Sequence, residues 1–130
     1  CDIIEMITSK CITHDWMAID DYYSFIAAMD LSLQVTIGES FNYAVCERMA
    51  LGVPVLTTYD IYMIANDAML AKYLCISASD TPADISKAMK FIINNPKLRQ
   101  ELSEISKKRI RQVAVENNEI VIEQLSKIFH

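Results

Sequence analysis

The run from Leu31 to Leu56 restricts the possible folds more than any other stretch of the chain. Leu31 to Ile37 is an apolar run of the kind that forms a strand buried within a parallel sheet. Gly38 then turns the chain sharply. A helix is predicted from about Asn42 to Leu51, with Gly52 placed to cap its C-terminus. Val53-Pro54-Val55-Leu56 opens a second strand, where Pro54 is tolerated because it lies near the beginning. Strand, helix and strand in this order predict an α/β architecture.

The strand-to-helix junction has its own chemistry. Amide groups of a first helical turn lack partners inside the helix, and the helix dipole adds partial positive charge there. A phosphate fits such a place without any basic side chain. Two carboxylates flank it: Glu39 in the turn and Glu47 in the helix, eight positions on. A carboxylate is a double acceptor suited to vicinal hydroxyls, such as a ribose diol or a sugar edge. Read singly, Glu39 is a turn acid and Glu47 an exposed helix acid; the functional reading rests on finding both in this setting.

The stretch resembles the sugar-nucleotide site of the group-1 (family-4) retaining glycosyltransferases of GT-B fold, whose C-terminal domain carries a run like E-G-F-G-L-x-x-x-E-A-M-A-x-G-x-P-V. Glu39 and Glu47 match the two acids of its E-x7-E pair, and Phe41 matches the aromatic. Met49, Ala50, Gly52, Pro54 and Val55 match the tail, and Met29-Asp30-Leu31-Ser32-Leu33 resembles the preceding strand. Ser40 and Asn42 stand where the family usually has glycines, and both are short polar residues able to cap a helix. The likeness is strongest over residues 29–57 and continues more weakly along most of the chain.

The resemblance implies a Rossmann-like parallel sheet with flanking helices, the C-terminal half of a GT-B enzyme, with a helical tail. It implies a nucleotide-diphosphate sugar (UDP- or GDP-linked) as donor, in polysaccharide or glycoconjugate biosynthesis. Glu47 would hold the ribose hydroxyls. Ser40 and the amides around Phe41, Asn42, Tyr43 and Ala44 would bind the diphosphate. Glu39 would act at the sugar hydroxyls or the face of the anomeric carbon. Transfer with retention would pass through an oxocarbenium-like transition state, with charge on the leaving phosphate stabilised by the helix N-terminus. The resemblance also implies that no metal or other cofactor is needed and that acceptor choice belongs to an N-terminal domain. The other strands of such a sheet, and the basic pair the family places on the diphosphate, are absent from this chain. The expectation is therefore a partial domain, residues 1–130, with an α/β portion at 1–78 and C-terminal helices at 79–130. Such a chain is expected to be inactive alone and to bind donor weakly or not at all.

Composition agrees with one folded domain. The chain has 130 residues, 52% of them hydrophobic, enough to bury a core. Twelve basic residues against 17 acidic ones give a net charge of −5, which disfavours nucleic acid or an anionic membrane surface as the main partner. No apolar run reaches membrane-span length and no signal peptide is evident; a cytoplasmic location is expected, with membrane association open but unsupported. Cys1, Cys11, Cys46 and Cys75 have no C-x-x-C spacing and read as reduced thiols, the last three in apolar surroundings.

Along the rest of the chain, residues 1–10 read as the end of a helix and Cys11-Ile12-Thr13-His14 as a short strand. His14 and Trp16 would follow its carboxyl end, where α/β folds bind ligands. In the relatives a residue here often touches the nucleotide base; alternatively, Trp16 covers the sheet edge and His14 is solvated. A helix over Ile19–Met29 would bury Tyr22, Phe25, Ile26 and Met29. Arg48 reads as an exposed partner or interface residue. Thr57 to Tyr62 reads as a loop, without the glycines the relatives carry, in which Tyr59 and Tyr62 pack as anchors or Tyr59 or Asp60 meets the donor. A helix over 65–71 and a strand over 72–76 follow. Thr81, Pro82 and Asp84 mark a helix start, with Ile85, Ala88, Met89, Ile92 and Ile93 as its apolar face. A helix from Lys97 to Val113 would bury Leu98, Leu102, Ile105 and Ile110. Lys107, Lys108, Arg109 and Arg111 near its end form either a solvated face or a membrane-facing patch. A last helix, Asn117 to Phe129, or an exposed sheet edge could support a homodimer.

Two other functions fit the same half-fold. One is a catalytically inactive binding or interaction module, favoured by the absent glycines. The other is a sugar-nucleotide epimerase of GT-B fold, which differs in acceptor-side residues.

Overall fold

Strand β2 (Val55–Thr58) is the centre of the protein, because all four of its residues are buried. The structure is a computed structural model and describes residues 12, 14–35, 42–77, 80–116 and 126–128. On either side of β2 lie β1 (Ser32–Gln34) and β3 (Cys75–Ile76), both parallel to it, in the order β1-β2-β3. Ser32 stands opposite Val55 and Gln34 opposite Thr57, while Thr57 also faces Cys75. Six helices account for most of the remaining described residues: α1 (Ile19–Ala27), α2 (Tyr43–Ala50), α3 (Tyr62–Ala65), α4 (Ala68–Leu74), α5 (Pro82–Ile93) and α6 (Pro96–Glu116). The expected α/β class with a parallel sheet and flanking helices is what forms.

Local chemistry explains where the helices begin and end. The Asn42 side chain accepts a hydrogen bond from Val45 N–H at 3.1 Å and starts α2. Gly52, at φ +79°, turns the chain out of α2, a conformation that a side chain resists. Asp67 accepts from the amides of Met69 and Leu70, each at 3.0 Å, and starts α4. Thr81 and Asp84 cap each other reciprocally at the head of α5, with Pro82 at its first position.

Apolar stripes of these helices close over the sheet. Val45, Cys46, Met49 and Ala50 form the buried stripe of α2. Helix α6 is the cover: Leu102, Ser106, Ile110 and Val113 recur at helical spacing, are fully buried, and bring α6 against α2, α3, α4 and α5. Each fully buried aliphatic side chain contributes about 1.5–3 kcal/mol of burial. Ile128 packs against the same core.

Several expectations change. Thr57 and Thr58 are not loop residues but the buried end of β2. The Thr57 hydroxyl donates to the carbonyl of Gln34 at 2.6 Å, which lets a polar side chain sit inside the sheet. The anchors after β2 are Ile61, Met63 and Ile64; Tyr62 is only half-buried, and Tyr59 faces solvent. The segment expected as one helix and a five-residue strand is α3, α4 and a two-residue strand. In α1 only Ile26 is buried, and Met29 lies exposed beyond the helix end. Ile93 is likewise exposed, and α6 is longer than expected at both ends. Ile12 and His14 are not in strand conformation. The helix expected at residues 1–10 lies outside the described residues, as does most of the one at 117–129.

Candidate functional site

Helix α2 follows the carboxyl end of β1, so its first turn faces that end of the sheet. Glu39, Ser40 and Phe41 lie outside the described residues. Asn42, Ala44 and Glu47 are half-buried and Tyr43 is exposed. Of the amides expected to face a diphosphate, those of Asn42, Tyr43 and Ala44 lie among the described residues, and the helix's own bonds begin just after them. Val45 donates to the Asn42 side chain, and Cys46 donates to the Asn42 carbonyl at 3.1 Å. Tyr43 and Ala44 open the helix ahead of them.

Glu47 lies one turn further along α2. Its Oε1 accepts a hydrogen bond from the Tyr23 hydroxyl of α1 at 3.3 Å. Burial, then the Glu47 charge, pushes the Tyr23 phenol above its ordinary value of 10.0, which already keeps a phenol protonated and donating at neutral pH. No cation among the described residues pairs with Glu47.

The Tyr23 ring lies 5.8 Å from the ring of Tyr22, and Tyr22 lines a cavity of about 560 Å³. His14, Trp16, Met17 and Phe25 line it too. The His14 ring meets the Phe25 ring edge-on at 4.7 Å, and Trp16 is 90% exposed. A flat heteroaromatic ring would find stacking surface here. The two sequence candidates for base contact therefore share one concavity, and α1 joins it to Glu47. Both candidates lie on chain without regular secondary structure before α1 rather than after a described strand. Tyr22 and Tyr23 were not singled out as site residues. Tyr22 belongs to the stripe, with Phe25, Ile26 and Met29, that marks α1 as a core helix; Tyr23 lies outside that stripe, and only Ile26 of the helix is buried.

Arg48 also departs from expectation. It is half-buried, donates from Nη1 to Gln34 Oε1 at 3.1 Å, and has a buried Nε without a partner. With the Thr57 bond to the Gln34 carbonyl, this ties α2 to the ends of β1 and β2. The basic run of α6 is partly structural: Arg109 Nε donates to the carbonyl of Met63 at 3.0 Å, and Lys107 pairs with Glu104. Cys46 is buried and its thiol donates to the Met63 thioether at 3.3 Å; Cys75 is half-buried, and both thiols are free. Cys1 and Cys11 lie outside the described residues. Among the described residues no three acidic, histidine or cysteine side chains converge as metal ligands. No helix among them is long and apolar enough to cross a membrane.

No family model, curated protein or solved structure matches the chain.

Proposed function

We propose that this chain binds a nucleotide-diphosphate sugar as the donor half of a retaining glycosyltransferase of hexosyltransferase type. The observation that carries the reading is the Tyr23–Glu47 hydrogen bond, which ties the helix after β1 to α1, the helix whose Tyr22 and Phe25 line the aromatic cavity with His14 and Trp16. The base would stack in the cavity and the ribose diol would donate to Glu47. The diphosphate would lie at the opening turn of α2, against the amides of Tyr43 and Ala44 and near Ser40, Phe41 and Asn42. Glu39 would serve the sugar. The family resemblance further implies that the acceptor is held by another domain and that no metal is required.

Calorimetric titration of the 130-residue chain with UDP, GDP and their sugars, beside Glu47→Ala, tests this. Saturable binding of one nucleotide, lost in the variant, supports the donor site and identifies the base. Absence of binding, both to this chain and to a longer one carrying the rest of the sheet, favours an inactive interaction module.

A further inference from the structure

A glutamate on an open helix face samples many rotamers, and fixing it in one costs side-chain entropy. Glu47 differs, because Tyr23 reaches across from α1 and donates to one of its two carboxylate oxygens. Both residues are half-buried, and Tyr23 is braced by the Tyr22 ring beside it. A phenol suits this task better than a cation would. It fixes the direction of the carboxylate without neutralising it, and no cation among the described residues pairs with Glu47. The second oxygen and the remaining lone pairs are left for a ligand that brings donors.

We propose that Tyr23 is a positioning residue, pre-setting the Glu47 carboxylate to accept a vicinal diol and so giving the site its preference for ribonucleotides. This rests on the donor-site reading above. The two residues act as a unit: without the Tyr23 hydroxyl the carboxylate is still present, but its ordering must be met by binding energy.

The test compares UDP and GDP with their 2′,3′-dideoxy counterparts by calorimetry on wild-type, Tyr23→Phe, Glu47→Gln and the double variant, with melting curves alongside. The ribonucleotide is expected to bind wild-type about tenfold more tightly than its dideoxy form, and Tyr23→Phe to lose about five- to tenfold on the ribonucleotide alone. A purely structural role would weaken both ligands equally. Glu47→Gln should remove the same preference, and the double variant should lose no more. If Tyr23→Phe keeps the preference that Glu47→Gln loses, the positioning role falls and the donor reading stands. If neither this chain nor the longer one binds either nucleotide, or if the ribonucleotide and its dideoxy form bind equally, both fall. Ultraviolet titration gives a check that does not need the Phe variant to fold. The raised titration of Tyr23 should move down in Glu47→Gln; an unmoved profile overturns the pairing.

Discussion

Ser106 sits on the buried stripe of α6, and its hydroxyl has no hydrogen-bond partner. Desolvating a hydroxyl without compensation costs about 1–3 kcal/mol, so Ser106→Ala is expected to stabilise the protein by about 1 kcal/mol in urea denaturation. Cys46 makes the opposite kind of prediction. Burial first, and the Glu47 charge second, pushes its thiol from 9.0 up to about 12. A raised value means that the native state holds a proton the unfolded chain has released. The contribution is therefore complete below about pH 9 and is lost as pH climbs towards 12. Between about pH 9 and about pH 11, wild-type should lose stability more steeply than Cys46→Ala, by up to about 1.4 kcal/mol per pH unit. Denaturation series across that range compare the two slopes. Cys46 was readable in the sequence as a buried thiol because its neighbours are apolar. Arg48 was not, because its half-buried position depends on Gln34, which is distant in sequence and close only once β1 and α2 pack. Tyr23 was missed as a site residue for the same reason: its partner is 24 residues away.

Helix α2 depends on its two ends. A Cβ at Gly52 would lie 2.5 Å from Lys107 Cε and 2.8 Å from Ser103 Oγ, and the backbone there has φ +79°. The two side chains can swing aside, but the backbone cannot. Gly52→Ala should therefore cost about 1–2 kcal/mol from conformation alone, read as a lowered thermal midpoint. Elements marked by local chemistry were legible. The Thr81-Pro82-Asp84 start of α5 and the Asn42 and Gly52 ends of α2 formed where their residue types indicated. Elements defined by distant partners were less so. Thr57 and Thr58 look like a polar loop until the Gln34 carbonyl is brought beside them, and a two-residue β3 leaves little periodicity to detect. Of the candidate site, Glu47, His14 and Trp16 were recognisable as residues, whereas the α1 tyrosines that connect them emerged only from tertiary packing.

At the scale of the whole protein, α6 decides whether there is a core. It is in contact with α2, α3, α4 and α5, and its Leu102, Ile110 and Val113 are fully buried. Leu102→Ala should cost about 3 kcal/mol, a large fraction of a small domain's stability. A chain ending at Asn95 should lose cooperative thermal unfolding by circular dichroism, since the sheet would lack its cover. There is also a consequence in time. Helix α6 is encoded downstream of every element it covers, and its 21 residues take roughly one to four seconds to add at a translation rate of about 5–20 residues per second. For that interval a nascent chain carries β2 and α2 already made and uncovered. During its own synthesis the chain exposes apolar surface of the kind that chaperones bind, and a pause while residues 96–116 are being added would lengthen the exposure.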